Sequence, residues 1–307
     1  MDKVSIEITD LCKSYKRGKQ ANAHISIQLK SHSITAFIGH NGAGKTTLLN
    51  QIGGSIKPTS GSIQICGIDG IKEYAKVRSF VSSMPQFQVP LKGITMFEAI
   101  KSIGMIKGLA KDKAEEKTNE IIQYLQLEQY KNLAGEKMSG GLQRLTSFAM
   151  TVINEAPIII LDEPTNDVDP VRRILMWKYL KKLAKKGSTI LIVTHNLLEV
   201  ERYADRYVLL QSGRIIKDVE VVGNYMIDTR HLLCIYDIDF SDSNPFLKEF
   251  DTKYKKEERQ LVVSLKEEQI TRAIALLLPI LREKKATNYD LKIQSLYESY
   301  EEMTNEN

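Results

Sequence analysis

The sequence has no apolar stretch long enough to cross a membrane. Its longest uncharged apolar runs, APIIIL (156–161) and AIALLLPIL (273–281), fall far short of the roughly 18 residues that a spanning helix needs. The first ten residues, MDKVSIEITD, are acidic and alternating, which is not the pattern of a signal peptide. Cysteine is scarce: Cys12, Cys66 and Cys234 are scattered without pairwise spacing, which suits a reducing cytosol and argues against a metal site built on them. No internal repeat or low-complexity segment breaks the chain. What remains is ordinary globular composition, 42% apolar and 26% charged over 307 residues, enough for one large domain and a smaller one.

The net charge of +5 hides an asymmetry. Residues 1–219 carry a net +10 and residues 220–307 a net −5. A basic large domain suits phosphate-bearing ligands or an anionic surface, without choosing between them. The runs KKLAKK (181–186) and KYKKEER (253–259) read as solvated faces, and the first precedes Gly187, where cations sit well at a helix C-terminus.

The strongest local signal is SITAFIGHNGAGKTTLLNQIG (33–53). An apolar strand meets Gly39 and His40, then Asn41, Gly42, Ala43, Gly44, Lys45, Thr46 and Thr47, and continues as a helix. This is G-x-x-x-x-G-K-[ST] in its strand–loop–helix setting. The glycines let backbone N–H groups wrap an anion, Lys45 would reach the β- and γ-phosphates of a nucleotide, and the Thr46 hydroxyl would bind Mg²⁺.

A second strand, APIIILDEP (156–164), has four apolar residues before Asp162, so it should be buried on both faces. Asp162 then stands at the C-terminal end of a core strand, where open α/β sheets bind ligands, and would hold Mg²⁺. Glu163, one residue further and pointing elsewhere, would polarise an attacking water. A third strand, TILIVTH (189–195), brings His195 to the same sheet edge. MSGGLQR (138–144) opens an amphipathic helix carrying Leu142, Leu145, Ala149 and Val152. Ser139, Gly140 and Gly141 at its start expose N–H groups to an anion.

GHNGAGKTT, Gln86 in SSMPQF, MSGGLQR, IIILDEP, TNDVDP and THN, in this order and spacing, resemble the ATPase subunit of an ATP-binding cassette (ABC) transporter over residues 4 to about 219. The resemblance implies an α/β fold: a P-loop NTPase core with an antiparallel β portion and an inserted helical subdomain. It implies a head-to-tail dimer of ATPase subunits, here a homodimer, in which Ser139, Gly140 and Gly141 of one chain close over nucleotide on the other's P-loop. Tyr15, in LCKSYKRG, matches the aromatic that stacks on adenine. Gln86 matches the residue that senses Mg²⁺, Glu163 the general base, His195 the switch on γ-phosphate and water, and Asp169 the loop that signals across the dimer. Asp169–Pro170 also reads as an N-cap and N1 pair. Met138 and Leu142 depart from the family's usual leucine and glutamine, leaving the serine and glycines intact.

The cofactors implied are ATP and Mg²⁺, and the partner a separate multi-span membrane permease that holds this chain at the cytoplasmic side of the membrane, with no nucleic acid. The alternative, a soluble ABC ATPase acting on ribosomes or DNA, is disfavoured. There is one P-loop, and only 93 residues separate Lys45 from Met138, too few for a long coiled coil. Organisation is expected as an ATPase domain over 1–219, with a helical subdomain at about 94–150, and a small α+β accessory domain over 220–307. In the latter, LLCIYDI, QLVVSL and YDLKI read as strands and 266–285 as a helix. That helix would have Ile270, Ile274, Leu277 and Leu281 on one face and a kink at Pro279, and QSLYESYEEM would add another. This extension resembles the accessory domain of bacterial drug- and antibiotic-resistance exporters.

Overall fold

The computed structural model describes residues 4–15, 20–86, 91–222, 225–226, 231–239, 246, 248–283 and 285–293. The chain divides into two compact units, 1–221 and 222–307.

The first unit is built on a sheet of short apolar strands. Within it, β3 (Ile34–Ile38), β8 (Thr189–Val193) and β7 (Ile158–Asp162) are buried at every position. Such runs lack alternation because helices or a second sheet cover both faces. With β6 (Val81–Met84), β9 (Arg206–Gln211) and β10 (Arg214–Val222) the order is β10-β9-β3-β8-β7-β6. All neighbours are parallel except β9 and β10, a hairpin. Its turn falls at Ser212 (φ 48°) and Gly213 (φ 78°), the paired positive φ of a tight two-residue connection.

A second, antiparallel sheet has the order β2-β1-β4-β5, from β1 (Val4–Ser14), β2 (Gln20–Lys30), β4 (Ser60–Ile65) and β5 (Ile68–Asp69). Its Ile6, Ile8, Ile25 and Ile27 share one core with Phe37 and Leu191 of the first sheet and with Leu48, Leu49 and Ile52 of α1 (Lys45–Ile52). The short α2 (Tyr74–Phe80) follows β5.

Helices cover the opposite face: α3 (Met96–Ile106), α4 (Lys111–Tyr124), α5 (Gly140–Val152) and α6 (Pro170–Lys186). Ile100, Ile121, Phe148, Trp177 and Leu180 bury there against β7 and β8. Asp169 caps α6, its carboxylate accepting from Arg172 N–H at 3.0 Å, with Pro170 at N1. Lys185 and Lys186 lie in its last turn before Gly187. The short α7 (Leu197–Tyr203) follows β8.

The second unit has an antiparallel sheet in the order 251–255, 260–265, 231–236, 288–293. The helix Ile270–Arg282 connects two strands that run parallel on either side of 231–236. Its buried stripe is Ala273, Leu277 and Ile280, packed against Leu233, Val263 and Phe246. The expected stripe shares only Leu277 with it, because Ile270, Ile274 and Leu281 are partly buried flanks. Pro279 lies within the helix. The segment QSLYESYEEM lies outside the described residues.

Candidate functional site

The P-loop forms because Gly44 stands where the strand-to-helix turn needs both a left-handed backbone and no side chain. Its φ is 101°, and a Cβ there would lie 2.2 Å from the Ala21 carbonyl. Asn22 locks the same point from β2: its amide donates to Gly44 O at 3.1 Å and its carbonyl accepts from Gln51 Nε2 at 2.8 Å. Asn22 is fully buried. Nothing local in the sequence marks it, since its partners lie 22 and 29 residues away.

A cavity of about 430 Å³ opens over this loop. Tyr15, Asn41 to Thr47, Gln86, Asp162, Glu163 and His195 line it, with Ala21 and Val193. Lys45 is buried, and its ammonium donates to the Gly39 and His40 carbonyls at 2.7 and 3.0 Å. Burial lowers its pKa, while Glu163 and Asp162 hold it up. A buried ammonium hydrogen-bonded to neutral carbonyls is a ready partner for an anion. Gly39 and His40 thus serve the site through their backbone, and the His40 ring turns to Asn41 O at 2.8 Å.

Thr46 Oγ1 donates to Asp162 Oδ2 at 2.8 Å. A hydroxyl and a carboxylate already in contact, with Gln86 on the same cavity, form the hard oxygen donor set that Mg²⁺ prefers. Burial raises the pKa of Asp162, opposed by Thr46, Lys45 and Arg144.

Glu163 does not point away from Asp162 as strand alternation predicts. It has φ 51°, a left-handed turn immediately after β7, so both carboxylates face one cavity. Glu163 is almost wholly buried, with Oε1 3.1 Å from His195 Nε2 and Oε2 accepting from His195 N–H at 3.4 Å. Burial, with the Asp162 charge adding, pushes its carboxyl up to about 7 against the pull of the His195 N–H, Lys45 and Arg144. The pKa of His195 shifts the other way, lowered by burial and by Lys45 against the pull of Asp162.

The Glu163 shift predicts a stability effect. The native state keeps a proton that the unfolded chain loses near pH 4.3, so the carboxyl costs nothing at low pH and its full penalty above about 7. In nucleotide- and metal-free protein, Glu163→Gln should be more stable than wild type by up to about 3 kcal/mol at pH 8 and by much less at pH 5. Denaturant unfolding at both pH values measures this. An equal gain at both would contradict the burial account.

Ser139, Gly140, Gly141 and Asp169 do not line the cavity. Ser139 Oγ instead caps α5, accepting from Leu142 N–H at 3.3 Å, and Ser139 and Gly140 are exposed. Arg144, on the same helix, is a residue that motif reading passed over. It is buried and donates to the Gln86 and Pro85 carbonyls at 2.9 and 3.4 Å, tying α5 to the Gln86 loop. Tyr15 offers an exposed ring at the other end of the cavity, with Lys13 Nζ 5.3 Å from its centroid. A wider groove of about 660 Å³ elsewhere is lined by groups already paired, among them Arg206 with Asp218 and Lys30 with Glu220.

Residues 23–166, which contain this P-loop, MSGG and both carboxylates, match the family model described as ABC transporter. The chain carries an ABC transporter ATPase domain. It is an ATPase cassette, and it shares its fold with solved ABC cassettes. The ATP-binding subunit of an ABC transporter superposes with TM-score 0.66 at 26% identity, over 70% of this chain and 90% of that one. The dimeric, post-hydrolysis ABC cassette MJ0796 bound to ADP and Pi gives TM-score 0.64 at 27% identity, over 71% and 99%. Among curated ABC proteins, the human retinal-specific phospholipid-transporting ATPase ABCA4 is 33% identical over 64% of this chain and 9% of its own length. The rat ATP-binding cassette sub-family A member 7 is 32% identical over 81% of this chain and 11% of its own. The chain thus spans about a tenth of the length of these ABC relatives.

Proposed function

We propose that this cassette hydrolyses ATP in a head-to-tail homodimer and drives a separate multi-span permease as an exporter, from the cytoplasmic side of the membrane. The observation that carries the reading is the division of the motifs: the P-loop, Gln86, both carboxylates and His195 share one cavity, while Ser139, Gly140 and Gly141 lie outside it, the first two exposed and Gly141 half-buried. A phosphate-binding helix start that does not serve its own chain's nucleotide is available to a second copy's.

In this reading the adenine stacks on Tyr15 and the phosphates thread between the Asn41–Thr47 amides and Lys45. Lys45 exchanges its carbonyl partners for phosphate oxygens, a charge-assisted and therefore stronger contact. Thr46, Asp162 and Gln86 would hold Mg²⁺, whose charge would offset that of the phosphates. Glu163, poised near neutral pH, accepts the proton of the attacking water, and His195 orients that water and the γ-phosphate. Asp169, at the start of α6, would relay closure between the copies.

The test is recovery of the native complex. Purified from its own membranes, the chain should co-elute with a multi-span membrane protein, and reconstituting the two should raise ATP turnover above that of the chain alone. Recovery on ribosomes or DNA, with turnover indifferent to any membrane protein, would overturn the transport reading.

A further inference from the structure

The first two strands carry a donor cluster that the nucleotide site does not use. On β1 and β2, one ligand atom each from Asp10, Cys12 and His24 lies within 4.8 Å of the other two. Two irregularities in the β1–β2 ladder create it. Between the pairs Ile8↔Ile27 and Leu11↔Ile25, β1 holds one residue more than β2. Between Leu11↔Ile25 and Lys13↔Asn22, β2 holds one more than β1. These opposed bulges place Asp10 at φ 48° and His24 at φ 52°, left-handed conformations that only a minority of non-glycine residues adopt. The strand alternation is thereby bent so that an aspartate, a cysteine and a histidine converge.

The convergence is chemical as well as spatial. His24 Nδ1 meets Asp10 Oδ1 at 2.7 Å, and the Cys12 sulfur accepts the His24 backbone N–H at 3.2 Å. An N–H···S bond is the kind of support that steadies a thiolate ligand from behind. Cys12 is nearly buried, whereas the Asp10 and His24 side chains are more than half exposed, so the cluster opens to solvent on one side.

We propose that Asp10, Cys12 and His24 form a surface site for a borderline-soft divalent cation of the zinc type. Thiolate, imidazole and carboxylate are the three ligand types that zinc takes, and three protein ligands leave its fourth position to water. Bond lengths of about 2.0–2.3 Å require donor atoms roughly 3.3–3.8 Å apart in a tetrahedron. The ion would therefore replace the proton shared by His24 and Asp10 and part them by under about 1 Å, while drawing the sulfur inward. The scattered cysteines argued against such a site because spacing within one segment cannot show what strand pairing assembles. Two residues along β2 from His24 stands Asn22, which holds the P-loop at Gly44, so the site adjoins the strand that supports the nucleotide pocket.

The test uses the full chain, stripped with EDTA and free of nucleotide and Mg²⁺. Titration with Co²⁺ should give thiolate-to-metal absorption at one equivalent, and Zn²⁺ should displace it. His24→Ala and Asp10→Ala, both at exposed side chains, should each weaken binding at least about tenfold, the scale seen when even a residue behind a ligand is lost. Cys12→Ser should abolish the thiolate band. Cys66→Ser and Cys234→Ser should leave both signals unchanged, with ATP binding showing that every variant is folded. No thiolate band in wild type, or a band that survives His24→Ala and follows Cys66 or Cys234 instead, would overturn the proposal.

Discussion

Glu163→Gln should lose about 10²- to 10⁴-fold in steady-state ATP turnover while still binding ATP, the range that a positioned general base contributes. The amide keeps the shape of the carboxyl in a site that leaves almost no room, with Glu163 only 2% exposed. It cannot take a proton from water, and it removes a buried charge that repels both Asp162 and phosphate. Closure on ATP should therefore outlast hydrolysis, and size-exclusion chromatography should show a dimer with Mg²⁺ATP that wild type releases after turnover. Wild-type turnover in the variant would exclude Glu163 as the base. A variant that binds ATP yet stays monomeric would count against closure by nucleotide. The same substitution should stabilise the nucleotide-free fold at high pH, so a poorly active protein that melts later separates a lost base from damage to the fold.

Much of this was legible because the core strands are short and apolar throughout. ITAFI, IIILD and TILIV admit little other than buried parallel strands, and each ends at or within two residues of a residue assigned to the site. What was not legible depends on conformation at one residue or on contacts between distant ones. Alternation sent Glu163 away from Asp162, and the left-handed turn at Glu163 brings it back. Asn22 and Arg144 support the P-loop and the Gln86 loop from other elements, and no motif spacing marks either. The helical stripe at 270–282 was legible only in part: Leu277 is central and Ile270, Ile274 and Leu281 pack on the flanks of the core, but Ala273 is the small residue the helix turns toward the sheet. Reading for large side chains favours Ile270 and Ile274 instead. The Asp10–Cys12–His24 cluster was missed for a related reason: it exists only once two bulges have set the register.

The central claim is that each catalytic site is shared between two chains, and mixing two inactive variants tests it most directly. Lys45→Ala removes the buried ammonium from both P-loops of its own homodimer. Ser139→Arg blocks both α5 starts, at an exposed position where the loss of the cap costs about 1 kcal/mol and should leave the fold intact. Each homodimer should occlude essentially no ATP. In the heterodimer, one site receives both lesions, while the other pairs an intact Lys45 with an intact Ser139. Trapped nucleotide per dimer, measured with Glu163→Gln in both chains to suppress turnover, should therefore recover to one in the mixed dimer. If mixing restores no occlusion although heterodimers have formed, MSGG serves its own chain and the shared site is wrong.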